Sequence, residues 1–276
     1  MEQTYMVDGP LEVSVRFGSG HMHVRRADVG TAQVQVRPLD PAHESSVRLA
    51  AGAEVHLDGS LLTVSVPDQG RLFRRGEVVI ALQLPADSRV AVKAGMAAVA
   101  VRDGVHGLDA KIGAGSVDVD RAAELNVKAG QVDVVVGRAG SLAVSSGQGT
   151  LRAGEVEHAA FKSGAGDVEI GHSTGVVQVK GGAVQLAVRD AASGEVFFHT
   201  GSGDARVAVV PGTTVELDLT SGSGDVRCEL PVESAAPPGG AGLRLRLRTG
   251  SGDLIVTAAA GAPASAAGAP STKVPS

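Results

Sequence analysis

Apolar and polar residues alternate along most of this chain in short runs, and glycine turns separate the runs. The plainest case is Ala160-Phe-Lys-Ser-Gly-Ala-Gly-Asp-Val-Glu-Ile170. Related stretches are His199-Thr-Gly-Ser-Gly-Asp204, Thr220-Ser-Gly-Ser-Gly-Asp225 and Arg248-Thr-Gly-Ser-Gly-Asp253. The pattern aligns on ten glycines: Gly18, Gly95, Gly113, Gly130, Gly147, Gly164, Gly182, Gly201, Gly222 and Gly250. From Gly95 onward they are spaced by 18, 17, 17, 17, 18, 19, 21 and 28 residues. Four offsets from each glycine, −5, −3, +4 and +6, are apolar in every copy. Around Gly130 they are Leu125, Val127, Val134 and Val136. All forty such positions are apolar in a chain that is 43% apolar.

Period-two alternation places −5 and −3 on one face of a strand, and +4 and +6 on one face of the next. The glycines supply the backbone angles that reverse the chain between them. One pair of five-residue strands cannot bury its apolar face alone, but stacked copies can. Like positions recurring every 17–21 residues predict parallel stacking. The fold expected is all-β, a parallel β-solenoid of about ten short coils with an N-terminal β-rich elaboration. Two or three faces per coil both fit. An antiparallel sandwich is the alternative, and the column register favours the solenoid.

Residues 1–88 are expected to form a first coil around Gly18 plus a capping elaboration. In that elaboration Ala32–Arg37 reads as a strand. Asp40-Pro41 reads as the cap and first turn of a short helix reaching about Ala51. Val55–Val64 reads as a hairpin with an Asp58-Gly59 turn, Arg71–Arg75 as a basic loop, and Glu77–Leu84 as a strand. The regular repeats occupy 89–257. Within them, the Pro/Gly/Ala-rich stretch Pro231–Gly242 reads as a mobile excursion, and Leu243–Thr257 as the last coil. Residues 258–276, rich in Ala, Pro and Ser, are expected to be disordered.

The Gly-Ser-Gly-Asp-Val-x-Val pattern, the period and Gly9-Pro-Leu-Glu-Val-Ser-Val-Arg-Phe-Gly-Ser-Gly20 resemble the bacterial putative-adhesin family of β-strand-repeat proteins. That family is largely a domain of unknown function, and the resemblance covers roughly 5–257. By analogy with long β-helical adhesins, it implies a surface role and no particular activity.

Composition narrows the reading. There is no Trp, one Tyr and five Phe, with 38 glycines, which suits a thin core of Val and Ala. The net charge of −5 argues against a nucleic-acid surface. Met1–Asp8 lacks a basic region and an apolar run, and no stretch approaches a membrane span, so a soluble cytoplasmic protein is expected. Cys228 falls in a core column and reads as a buried small hydrophobe.

Candidate chemistry is sparse. Gly-x-Gly-Asp is similar to calcium-binding β-roll repeats, but one Asp per coil supplies too few ligands. Asp167, Asp204, Asp225 and Asp253 are instead expected to bond the turn backbone. Gly171-His-Ser173-Thr-Gly175 matches a nucleophile elbow but is followed by a strand, Val176–Val179, where that motif needs a helix. His21 and His23 face outward with no third ligand. No nucleotide fingerprint is present, and no cofactor or metal is expected.

One outward column stands apart. At offset −2 lie Arg16, Lys93, Lys111, Lys128, Ser145, Lys162, Lys180, His199, Thr220 and Arg248. Acids at +3, among them Asp133 and Asp167, are expected to compensate this column across the turn. Otherwise Lys93, Lys111, Lys128, Lys162 and Lys180 form a basic stripe for an acidic partner, on a surface expected to lack aromatic anchors. The function expected is therefore a non-catalytic, adhesin-like scaffold binding a protein or acidic polymer. Self-association through an open solenoid end is also expected to be possible. The alternative is a polysaccharide-acting β-helix enzyme, which the scarcity of aromatics disfavours.

Overall fold

A computed structural model of the chain describes residues 1–28, 30–67, 76–230 and 242–260. They are nearly all-β: one open fourteen-stranded sheet and a single helix. The expected basic loop at 71–75 and most of the stretches 231–242 and 258–276 lie outside the described residues.

The repeat begins in β2 (Glu12–Arg26), which pairs in parallel with β7 (Arg89–Val101). Strand β7 pairs in parallel with the start of β8 (Val105–Ala191), an extended run carrying five of the ten aligned glycines. The register is that of the sequence alignment: Val13 sits on Val90, Val90 on Leu108, and Val99 on Val117. The turn glycines also stack. A Cβ on Gly130 would lie 2.8 Å from the Gly113 carbonyl oxygen, and one on Gly147 2.8 Å from that of Gly130. Any side chain there would separate the coils, which is why the column stays glycine.

Beyond β8, the chain continues through β9 (Gly194–Ser202), β10 (Ala205–Val209), β11 (Val215–Ser223), β12 (Val226–Cys228), β13 (Leu243–Ser251) and β14 (Leu254–Ala258). Sequence order and stacking order part here. Strand β13 pairs with β9 on one side and β11 on the other, and β14 lies between β10 and β12. The coil expected to be last is thus inserted beneath the one before it in sequence.

That insertion explains the core. Of the forty aligned apolar positions, thirty-six are 5% exposed or less. The four exceptions, Leu217, Leu219, Val226 and Cys228, all belong to the Gly222 coil, which has no described coil above it. Cys228 is therefore exposed, contrary to the sequence reading: its column position is apolar, but nothing covers it. A further inward column lies nine residues after the glycines, at Ala122, Ala139, Val156, Ser173 and Ala191. Its small residues escaped the period-two reading because they occupy the corner between coils.

On the N-terminal side of β2, the layers continue as β5 (Leu61–Ser65) and β6 (Val78–Leu84), both parallel to it. Antiparallel strands follow. Strand β4 (Glu54–Asp58) closes a hairpin onto β5, β3 (Thr31–Pro38) pairs with β6, and β1 (Glu2–Met6) pairs with β3. Helix α1 (Glu44–Ala51) packs against β3. It starts after His43 and not at Asp40, because the Asp40 carboxylate accepts the Ala42 N–H at 2.8 Å and forms a separate turn ahead of it.

Candidate functional site

Alternation that sends −5 and −3 inward sends −2 outward, and the stacked glycines place each −2 residue over the one before. Arg16 pairs with Lys93, Lys93 with Lys111, and Lys180 with His199, which pairs with Arg248. Lys111, Lys128, Ser145, Lys162 and Lys180 each stand two residues before glycines that stack in turn. All five lysines are exposed. Strand spacing sets successive rungs ~4.8 Å apart, and Ser145 leaves one rung neutral.

The expected compensation by the +3 acids is not formed. Among the described residues, no lysine of the ladder lies within ion-pair distance of a +3 aspartate, and the one pair is a loose contact of Lys111 with Asp109 at 3.9 Å. Three of the five +3 carboxylates bond a neighbouring coil instead. Asp133 accepts the Thr150 hydroxyl at 2.6 Å. Asp204 accepts the Asp253 N–H at 2.9 Å, and Asp253 the Asp225 N–H at 2.8 Å. Of the four aspartates expected to bond turn backbone, Asp204 and Asp253 do so, on the neighbouring coil, whereas the Asp225 carboxylate accepts from Arg227 of its own strand.

Arginines behave differently from lysines. Arg89 pairs with Glu124 at 2.8 Å, Arg244 with Glu216 at 2.9 Å and Arg248 with Asp218 at 2.8 Å, in each case bridging coils. Arg102 holds both Asp118 and Asp120 at 2.6 Å. The hydrogen bond from Arg102 keeps the Asp118 carboxyl below its ordinary range despite partial burial. The planar guanidinium matches a carboxylate with two parallel donors, whereas an ammonium is a hydrated point charge. The sequence shows both kinds of cation on alternating strands, but not which of them find acids.

Beside the ladder, the −4 column is neutral at Ala91, Asn126, Ala143, Ala160 and Gln178 and acidic at Asp109, the residue that Lys111 touches. At its C-terminal end, the half-buried Phe197 lies under Lys180, 5.2 Å from the ammonium to the ring centre, and stacks with His199. The face thus does carry an aromatic anchor, which the sparse aromatic composition concealed.

The other candidates separate. Ser173 is fully buried in the corner column, its hydroxyl without a partner, and no reactant can reach it. His21 and His23 stack outward with ring centres 6.4 Å apart. Desolvation, then His21 and nearby arginines, lowers the pKa of His23 below 6.5. Among the described residues no three His, Cys, Asp or Glu side chains converge as metal ligands. A shallow groove of about 560 Å³ runs along the corner past Arg121, Arg138, Glu155 and His172. There Arg138 and Glu155 pair with each other, so the groove offers no unopposed charge of one sign comparable to the ladder.

Residues 56–253 match the profile of the Toastrack DUF4097 family, and the chain belongs to that family. No curated protein matches it. Among solved structures, it is similar to a putative adhesin from Bacteroides fragilis, at 16% identity and a TM-score of 0.42, covering 93% of this chain and 96% of that one. Another is a putative adhesin from Parabacteroides merdae, at 9% identity and a TM-score of 0.35 with the same coverage. A third is a putative lipid binding protein from Parabacteroides distasonis, at 9% identity and a TM-score of 0.27, covering 94% of each chain. No helix among the described residues is long and apolar enough to cross a membrane.

Proposed function

We propose that this chain is a non-catalytic, adhesin-like scaffold, a parallel β-solenoid of about ten coils that binds a linear acidic partner along Lys93, Lys111, Lys128, Lys162 and Lys180. The observation that carries this reading is the contrast between the two cations. Arg89, Arg152, Arg244 and Arg248 each hold a carboxylate of another coil, while the exposed lysine ladder has one loose acidic contact. A row of like charges ~4.8 Å apart is unfavourable by itself. A polyanion or an extended acidic segment laid along it relieves that repulsion. Phe197 beside Lys180 gives such a partner an apolar end point.

The test is a titration of fluorescent poly-L-glutamate with the full chain at low salt. The triple variant Lys111→Gln, Lys128→Gln and Lys162→Gln should lose binding with an unchanged circular dichroism spectrum, because all three side chains are exposed. Equal affinity of variant and wild type would count against the ladder.

A further inference from the structure

The coil built by β11 and β12 is unfinished. These strands pair with β13 and β14 on one side, and no described strand lies on the other. Leu217 is 39% and Val226 47% exposed, whereas their equivalents one coil below, Leu245 and Leu254, are fully buried. The hydrogen bonding is equally incomplete. At the two preceding steps the carboxylates of Asp204 and Asp253 accept the N–H of the next coil's aspartate. Asp225 occupies the same place with no described coil beyond it.

We propose that two copies of this chain join tail to tail through this coil. An edge with bare apolar columns and unpaired backbone groups is a template for strand addition. The chain's remaining stretches are poor candidates to supply the strand. Pro231, Pro237 and Pro238 interrupt 231–241, and Pro263, Pro270 and Pro275 interrupt 261–276, and proline gives a ladder no N–H. Head-to-tail stacking fails on shape. Beyond β2 one arm adds β5 and β4, while the other adds β6, β3 and β1, so that end is stepped. A level edge matches both arms of a copy of itself across a two-fold axis.

A two-fold at the turn lays β11 antiparallel to the partner's β12. The register that sets inward columns together places Leu217 opposite Cys228 of the partner subunit and Leu219 opposite Val226 of the partner subunit. The same register sets Asp218 against Arg227 of the partner subunit. It also sets Thr220, a hydroxyl donor, against Asp225 of the partner subunit. The one like-charged meeting is Glu216 with Glu229 of the partner subunit, and Arg244 already holds Glu216 at 2.9 Å.

Sedimentation velocity of the full chain under reducing conditions, from about 1 µM to about 300 µM, tests this. The expected result is a monomer–dimer equilibrium with nothing larger. Over the same range, alkylation of Cys228 should slow as dimer forms. The double variant Leu217→Lys, Val226→Lys should weaken dimerisation by at least about tenfold, since a charge would meet the partner's apolar columns. Should that variant lose its circular dichroism spectrum, Arg227→Asp, at an exposed position, should weaken dimerisation alone by facing Asp218. A wild-type monomer throughout, growth beyond dimer, or a dimer indifferent to these changes would overturn the proposal. Cys228 protected in a monomer would also overturn it, and would make the chain's own 231–241 or 261–276 the cover.

Discussion

The carboxylate of Asp253 accepts the backbone N–H of Asp225 at 2.8 Å, although Asp225 precedes it by 28 residues. Asp204 makes the same bond to the N–H of Asp253 at 2.9 Å. The acids of the Gly-Ser-Gly-Asp motif therefore fasten one coil to the next, in an order of stacking that differs from the order of sequence.

Asp253→Ala should lower stability by about 1–2 kcal/mol in urea unfolding, the range for a lost hydrogen bond to a charged acceptor at a solvent-facing site. Asp167→Ala should have less effect, within about 0.5 kcal/mol, since its carboxylate makes no such bond among the described residues. Equal losses would show that the aspartates act through the turn itself.

Burial distinguishes two valines of the same column. Val134 is fully buried in a central coil and Val226 is 47% exposed on the end coil. Val134→Asp should cost about 4 kcal/mol or more and unfold the protein at moderate temperature, because the carboxylate finds no partner inside. Val226→Asp in the monomer should stay within about 0.5 kcal/mol. Comparable melting temperatures for the two variants would contradict the stacking order described above.

The Arg102 cluster should report on acid. The hydrogen bond from Arg102 lowers the folded-state pKa of Asp118 below 3.8. A carboxylate shifted down contributes stability that is present above its unfolded value and lost as pH falls through the folded one. The melting temperature of wild type should exceed that of Arg102→Gln at pH 6, and the gap should narrow from about pH 4 downward. Asp118 is half exposed, so the gap will be modest. A gap that does not change with pH would mean that Arg102 acts by packing.

The alternation of apolar residues about the aligned glycines carried most of the fold, because each coil repeats one solution to burying Val and Leu. It failed at Leu217, Leu219, Val226 and Cys228, whose local sequence is like that of every other coil. Their exposure depends on the insertion of 243–258 below them, a non-local choice that period-two patterning does not encode. The helix start moved from Asp40 to His43 for a similar reason: an Asx turn and a helix cap use the same side chain chemistry. The lysine ladder was legible as a column. That Lys128 goes without its +3 acid was not, since Asp133 turns instead to the Thr150 hydroxyl of the next coil.

The central proposal is the lysine ladder as an electrostatic binding face. The most direct measurement is the affinity for poly-L-glutamate across sodium chloride concentration, wild type beside the triple Gln variant. Exposed charges are screened within ~8 Å at physiological ionic strength and more closely at half-molar. Wild-type affinity should fall by at least about tenfold between low salt and half-molar salt, with the variant weak and nearly flat. A wild-type affinity that holds through that range, or a variant with the wild-type slope, would contradict it.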